Sequence, residues 1–307
     1  MQTIVTAVLL ILVSTLVQAG PLPAPKVQKI NDRVYALLGP MELPNKRNQG
    51  YMVNTAVIIG EKGVILVDTG FTNEIGEHLV KAIAKLTPKP VTHIVNTHHH
   101  GDHHLGNSAF KGAEIISSKA CKDLVEKTGY EWVEMAQNLT GSKFPNTKPM
   151  PANVTLGEDT RTERVIDGVK VVLWVPKGSH TAGDLIVYLP DDKVLIGGDV
   201  LVNHITPSFR DGYVKNWIGT LDQVLKINAK TIVPGHGPLM TNADVTAMRK
   251  RMSTLYAGVE AGYKKGLSDA EIRKTLDLSQ WKKLHHFDAQ MGGNINRAYL
   301  EVEAANF

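Results

Sequence analysis

Short apolar runs separated by glycine, proline and polar residues recur along the chain, and this pattern predicts buried β-strands. In the first half the predicted strands are 27–38, 51–68, 91–96 and 112–116. The turn signal Gly60-Glu61-Lys62-Gly63 divides the second of these runs into two strands. Ile75, Leu79 and Ile83 recur at helical spacing and predict a helix over 72–86, and a second helix is predicted to end near Asn138.

The second half repeats this order of strands and helices. Strands are predicted at 165–169, 170–175, 184–189, 193–197 and 231–233. Helices are predicted at 217–227 and across 244–276, where Ser268 and Glu271 have the spacing of a capping box. The segment 139–152 contains three prolines and is predicted to be a loop that overhangs a site. Two sheets covered by helices accommodate this order, so we predict an α/β fold, a four-layer αβ/βα sandwich formed by 20–307 as a single domain with a helical C-terminal tail.

The N-terminal residues 4–17 form a nearly continuous apolar run, followed by the small-x-small sequence Val17-Gln18-Ala19. This run is too short to span a membrane and predicts a signal peptide over 1–19, cleaved near Ala19. No lysine or arginine precedes the run, so an uncleaved anchor is the alternative. With cleavage, the protein is expected to be exported, periplasmic or secreted, with no stable membrane insertion.

Composition narrows the class of protein only slightly. The chain has 307 residues, 43% of them hydrophobic and 21% charged, which is typical of a globular protein. The net charge of +4 comes from scattered lysines and arginines with few aromatic neighbours, so no nucleic-acid partner is expected. Cys121 is the only cysteine, which excludes an intrachain disulfide.

One polar stretch follows the predicted strand 91–96 and contains five histidines and an aspartate within 97–104. Histidine and aspartate are costly to bury without partners, so their concentration indicates a cation. In an extended segment, alternate residues point the same way, which places His98 and His100 together. Asp102 and His103, on the turn that follows, can then face a second point, as in hydrolytic sites with two adjacent divalent ions.

Three further residues share the pattern of a metal-binding side chain just after an apolar strand. They are His180, Asp199 and His236. Side chains at strand ends on one rim of a sandwich can converge although they are far apart in sequence. We therefore expect these three to join the 97–104 stretch.

In its ordered set of motifs, the sequence resembles the metallo-β-lactamase superfamily. The motifs are Val67-Asp68-Thr69-Gly70, His98-x-His100-x-Asp102-His103, Gly178-Ser179-His180-Thr181, Gly197-Gly198-Asp199 and Pro234-Gly235-His236-Gly237. The resemblance implies a first metal held by His98, His100 and His180, and a second held by Asp102, His103 and His236. It also implies that Asp199 bridges the two metals and that Asp68 supports the site by hydrogen bonds.

The implied activity is that of a metal-dependent hydrolase. Two zinc ions per chain suit the nitrogen and carboxylate ligands, although iron or manganese also suits them. A hydroxide bridging the metals would attack an ester, thioester, lactone or related bond of a small molecule, with Asp102 as the catalytic residue that orients it. Among other side chains near the site, His204, Arg210 and Tyr213 are candidate substrate contacts, and His99 and His104 are expected to pack or to support the ligands.

Within this superfamily the sequence is most similar to the glyoxalase II-like branch, and in particular to exported hydrolases of the sulfur-oxidation and quinoprotein-associated type. A dedicated β-lactamase is disfavoured, because such enzymes have a cysteine ligand at the position of Asp199 or lack the bridging aspartate. The alternatives are a mononuclear iron persulfide dioxygenase, a β-lactamase and an inactive metal-binding protein. Neither the exact substrate nor the oligomeric state is predicted.

Overall fold

The structure, a computed structural model, describes residues 21–306. The predicted signal peptide over 1–19 lies outside these described residues.

The first sheet has seven strands in sequence order. They are β1 (Lys26–Lys29), β2 (Val34–Leu38), β3 (Thr55–Ile59), β4 (Val64–Val67), β5 (Val91–Val95), β6 (Glu114–Ser118) and β7 (Val154–Leu156). The pairs from β1 to β4 are antiparallel and those from β4 to β7 are parallel. Because β4, β5 and β6 run the same way, their carboxyl ends meet at one edge of this sheet.

The second sheet has five strands in the order β12-β11-β10-β9-β8. They are β8 (Thr160–Ile166), β9 (Val169–Val175), β10 (Ile186–Leu189), β11 (Val194–Ile196) and β12 (Thr231–Val233). Only β11 and β12 are parallel to each other.

Seven helices belong to the part of the chain that the structure describes. They are α1 (Asn73–Ile83), α2 (Gly101–His104), α3 (Lys119–Thr140), α4 (Val214–Ile227), α5 (Asn242–Tyr263), α6 (Asp269–Thr275) and α7 (Phe287–Ala304). The Ser268 side chain and Glu271 form the predicted capping box at the start of α6. Of the helices within 21–306, none has the length and apolar character needed to cross a bilayer.

Alternating side chains of each strand build different apolar layers. In β4, for example, Ile65 and Val67 lie in the core between the two sheets, whereas Val64 and Leu66 lie in the core with α1. A third core joins the outer side of the second sheet to α4, α5 and α7. The order of layers is helix, sheet, sheet, helix, so the predicted α/β sandwich is confirmed.

Two strand predictions need correction. The run 27–38 forms a hairpin rather than one strand, because β1 and β2 pair across a turn at 30–33. The run 165–169 is also a hairpin, whose turn residues Asp167 and Gly168 have φ of 47° and 76°. An Asp-Gly pair adopts such left-handed angles readily and terminates a strand, so β8 ends at Ile166 and β9 starts at Val169.

An ion pair joins a turn of the first sheet to a turn of the second. Arg33, in the turn between β1 and β2, donates from Nη2 to Asp192 Oδ2 at 2.6 Å and from Nε to Asp192 Oδ1 at 3.0 Å. Asn31 Nδ2 donates to the same carboxylate at 2.9 Å. The Asp192 side chain, in the turn between β10 and β11, is only 8% exposed. A forked and largely buried pair of this kind is stronger than an ordinary surface salt bridge.

We predict that Asp192→Ala lowers the free energy of unfolding by about 2 kcal/mol, because Arg33 and Asn31 lose charge-assisted hydrogen bonds. Asp191→Ala is the matched control, since Asp191 is the exposed neighbour in the same turn. Its expected effect is within about 0.5 kcal/mol. Chemical denaturation measures both values, and equal losses in the two variants would contradict this role for the ion pair.

Candidate metal centre

The predicted ligands lie in loops that follow strands of both sheets. The 97–104 stretch follows β5, His180 follows β9, Asp199 follows β11 and His236 follows β12. The short helix α2 begins directly after His100, which turns Asp102 and His103 away from the extended segment. All seven predicted ligands come together at one rim of the sandwich, in two groups whose candidate ligand atoms lie within 4.8 Å of one another in each group.

The first group consists of His98, His100, His180 and Asp199. His180 Nε2 lies 3.0 Å from His100 Nδ1 and 3.6 Å from Asp199 Oδ2. The His98 and His180 rings are edge-on, with their centroids 4.8 Å apart. One ring nitrogen from each of these three histidines and one carboxylate oxygen of Asp199 face a common point.

The second group consists of Asp102, His103 and His236. Asp102 Oδ2 lies 3.1 Å from His236 Nε2 and 3.4 Å from His103 Nε2. Asp199 Oδ1 lies 3.3 Å from each of the same two nitrogens. Asp199 therefore directs one carboxylate oxygen to each group.

Several ligand atoms in these groups have no hydrogen-bond partner. His98 Nε2, His103 Nε2 and Asp199 Oδ1 are buried and form no hydrogen bond. Leaving such atoms unpaired in a protein interior costs about 1–3 kcal/mol each. Cations at the two points would satisfy them, and a donor set of imidazole nitrogens and carboxylate oxygens suits zinc. The residues present therefore fit two metal ions.

Hydrogen bonds behind the ligands fix how the rings are turned. The Asp68 carboxylate accepts from Thr97 N and Thr97 Oγ1, both at 2.8 Å, and its Oδ2 lies 2.7 Å from His103 Nδ1. His236 Nδ1 lies 3.1 Å from the carbonyl oxygen of Met52. In each ring the hydrogen bond at Nδ1 leaves Nε2 directed toward the second group. Asp68 thus lies where the sequence predicted a supporting residue.

Asp211 forms the hydrogen bond that orients His100. This supporting role was not predicted from the sequence. Asp211 Oδ2 lies 2.8 Å from His100 Nε2, which leaves His100 Nδ1 directed toward the first group. The hydrogen bond from His100 holds the pKa of Asp211 below its usual range. The only sequence signal was its position next to the candidate contact Arg210.

The two groups differ in electrostatics. Burial lowers the pKa of His98 and His180 and lowers that of His100 to about 3, so these rings are neutral at pH 7. Burial acts in the same direction on His236, but the Asp199 and Asp102 carboxylates outweigh it and raise the pKa to about 10. The carboxylates around His103 likewise raise its pKa against the effect of burial.

A cavity of about 150 Å³ opens above both groups. Asp102 and Asp199 lie at its base, and Met41, Met52 and Trp132 belong to its apolar walls. The Arg210 guanidinium lies over the Trp132 ring at 5.0 Å and pairs with Asp211 through Nε at 3.1 Å. Of the predicted substrate contacts, Arg210 lines this cavity.

Of the other two predicted substrate contacts, His204 and Tyr213, neither lines this cavity, and their role stays a prediction. His204 is exposed in a left-handed conformation, with φ of 59°, and its carbonyl accepts a hydrogen bond from His285 N. The Tyr213 ring lies next to the Arg297 guanidinium, at 5.9 Å.

The loop 139–152 contributes no residue to the cavity either. It packs on the start of α1, where Thr147 Oγ1 accepts from Asn73 N at 2.9 Å. The walls come instead from residues near 41, 205 and 290. His99 and His104 are buried, and His99 packs against Trp132 at a ring distance of 6.4 Å.

Comparison with known proteins gives relatives over most of this region. The chain is 29% identical over 198 residues to a metallo-beta-lactamase type 2 of Bacillus sp. (strain 170). The aligned region covers 62% of this chain and 66% of that enzyme. The chain is 26% identical over 218 residues to a linear primary-alkylsulfatase of Pseudomonas sp. (strain ATCC 19151), covering 59% of this chain and 40% of that enzyme.

Solved structures share the fold. A metallo-beta-lactamase from Pontibacter korlensis superposes with a TM-score of 0.60 at 24% identity, covering 75% of this chain and 99% of that one. The sec-alkylsulfatase Pisa1 from Pseudomonas sp. superposes with a TM-score of 0.69 at 18% identity, covering 90% of this chain and 50% of that one.

The family profile described as the Metallo-beta-lactamase superfamily matches residues 48–236, which is more than half of the chain. This range includes both groups of candidate ligands together with Asp68 and Asp211. The chain belongs to the metallo-beta-lactamase superfamily.

Proposed function

We propose that the protein is a hydrolase that uses two zinc ions to cleave an ester, thioester, lactone or related bond of a small molecule. His98, His100 and His180 would hold one ion, and Asp102, His103 and His236 the other, with Asp199 shared between them. The observation that carries this proposal is the placement of Asp199, which directs one carboxylate oxygen to each group. The relatives named as a lactamase and an alkylsulfatase support hydrolysis as the class of reaction.

Zinc ions held by these residues would supply a water molecule with a pKa of about 7 and would stabilise the negative charge that develops on the substrate oxygen. The protein supplies the orientation. Asp102 lines the cavity, where its carboxylate can accept a hydrogen bond from the attacking water and orient it.

No protein nucleophile is needed in this scheme. The thiol of Cys121 is 1% exposed and does not line the cavity. Burial raises its pKa to about 12, so it is a neutral thiol at pH 7. Cys121 therefore has the structural role that its position in α3 suggests.

The cavity walls suggest the kind of substrate. Met41, Met52 and Trp132 offer apolar contact, and Arg210 is a cation at the same cavity. We propose a substrate with an apolar body and an anionic group. A sulfate ester is a second candidate, favoured by the cation at Arg210 and by the alkylsulfatase relative. The likeness to the glyoxalase II-like branch stays a proposal, supported by the position of Asp199.

The alternatives predicted from the sequence receive less support. A mononuclear iron persulfide dioxygenase would use only three ligands of this same set, so metal content and oxygen consumption distinguish it from the hydrolase. An inactive binding protein would not need all seven candidate ligands. A β-lactamase side activity is compatible with the lactamase relatives. Export after cleavage near Ala19 also remains a proposal, supported by the apolar run 4–17.

We predict two zinc ions per chain in the purified protein, with hydrolysis that a chelator abolishes and added zinc restores, because the reaction needs the metal-supplied nucleophile. Elemental analysis measures the metal, and the substrate panel contains an ester, a thioester, a lactone, a β-lactam and a sulfate ester. Asp199→Ala, which removes the shared carboxylate, should bind one ion at most and lose hydrolysis. One iron per chain with oxygen consumption on a persulfide would instead establish the dioxygenase.

Zinc binding should also release protons. In the metal-free protein His236, with a pKa of about 10, keeps its proton at pH 8, and a cation in the second group must displace it. Because this proton competes with zinc at every pH below its pKa, the apparent zinc affinity should increase with pH and level off above about 10. Calorimetry at pH 8 in two buffers of different ionisation enthalpy should show at least one proton released. His204→Gln is the control, since His204 is exposed outside the cavity, and binding heats independent of the buffer would refute the expectation.

Arg210→Gln should raise KM for an anionic substrate about fivefold, because a partly exposed charge contact contributes only a modest free energy of binding. The kcat should change little if the guanidinium binds ground state and transition state equally. Mono-4-nitrophenyl succinate and neutral 4-nitrophenyl acetate form a suitable pair if the protein hydrolyses esters. Lys215→Gln removes a nearby cation that does not line the cavity and serves as the control. A similar KM change for both esters would rule out Arg210 as the anion contact.

A further inference from the structure

The C-terminal helix α7 presents a polar face to the loop 207–215. Asn294, Arg297 and Glu301 follow one another at intervals of three and four residues, which places them on one side of the helix. All three side chains form hydrogen bonds with the backbone of this loop. The loop carries Arg210 and Asp211, and α7 lies beyond the residues matched by the family profile.

Asn294 anchors the start of the loop. Its side chain is 1% exposed, and both ends of its amide are paired. Oδ1 accepts from Phe209 N at 2.8 Å, and Nδ2 donates to the carbonyl oxygen of Pro207 at 2.8 Å. Because burial makes each of these bonds costly to lose, Asn294 fixes the backbone immediately before Arg210.

Arg297 and Glu301 anchor the end of the loop. Arg297 Nε donates to the carbonyl oxygen of Gly212 at 2.8 Å. The Glu301 carboxylate accepts from Val214 N at 2.7 Å and Lys215 N at 3.0 Å, the first backbone donors of α4. The N-cap residue of α4 makes no side-chain capping bond, so Glu301 takes over that function from another helix.

Between these anchors lie the two residues that reach the metal centre. Asp211 Oδ2 lies 2.8 Å from Nε2 of the candidate ligand His100, and Arg210 lines the cavity. The Asp211 side chain is 40% exposed, so burial among apolar neighbours does not hold it in place. The fixed backbone on both sides provides that constraint.

We infer that Asn294, Arg297 and Glu301 are positioning residues, which act through the loop 207–215 to hold Asp211 against His100 and Arg210 at the cavity. The inference rests on the proposed function only in taking His100 as a metal ligand. Helix α7 lies outside the residues matched by the family profile, and in this proposal it helps to orient the ring of His100. Loss of a residue that orients a metal ligand lowers the metal affinity by about 10-fold to 100-fold.

The test compares Asn294→Ala with Asn296→Ala in the full chain. Asn296 is a matched control because it is an exposed asparagine of the same helix, and its amide bonds to Asp269 rather than to the loop. Hydrogen–deuterium exchange should accelerate over 207–215 in Asn294→Ala alone. Zinc titration against a chromogenic chelator should show about 10-fold weaker binding in the step that His100→Ala abolishes, with the other step unchanged.

Glu301→Ala provides a second variant, since Glu301 is only partly buried and its loss endangers folding less. It should weaken the same zinc step in the same direction. Wild-type affinity in both variants, or an equal loss in both zinc steps, would overturn the inference. If the wild-type protein binds no zinc, the proposed function fails instead. The ¹⁵N imidazole spectrum then decides the inference, because His100 should lose its Nε2–H tautomer in Asn294→Ala and keep it in Asn296→Ala.

Discussion

The carboxylate of Asp199, shared between two groups of imidazole nitrogens, is the contact on which the rest of the site depends. Its Oδ1 faces His103 and His236, and its Oδ2 faces His180. A buried carboxylate oxygen without a hydrogen bond is unfavourable unless a cation compensates it. This arrangement of donors is the observation that supports the proposal of two metals.

The sandwich makes this arrangement possible by bringing strand ends from two sheets to one rim. The first sheet delivers His98 to His103 after β5, while the second delivers His180, Asp199 and His236 after β9, β11 and β12. Rigid strands position the ligands, and the loops between them remain free to build the cavity. The C-terminal helices complete the rim, since His286 and Gln290 line the cavity and α7 holds the loop with Arg210.

Much of this arrangement could be predicted from the sequence, because strands and the ligands that follow them leave local signals. Apolar runs identified most strands, and the motif after β5 gave four candidate ligands within six residues, 98–103. The errors arose where a local signal was ambiguous. The run 165–169 looked apolar, but Asp167 and Gly168 adopt the left-handed angles of a hairpin turn.

Other features depend on contacts between distant residues and have no local signal. Asp211 meets His100 across 111 positions of sequence, and Asn294 meets Phe209 across 85. The proline-containing loop 139–152 gave no indication that it packs on α1 rather than over the cavity. Candidate ligands can thus be predicted from the sequence, whereas the residues that orient them and shape the cavity require the fold.

Anomalous diffraction at the zinc edge, on crystals of the zinc-loaded protein, tests the proposal of two metals. Two peaks are expected, about 3.5–4 Å apart. One should lie against His98, His100 and His180, the other against Asp102, His103 and His236, with one oxygen of Asp199 directed to each. A single peak, or two peaks that do not share Asp199, would contradict the proposal.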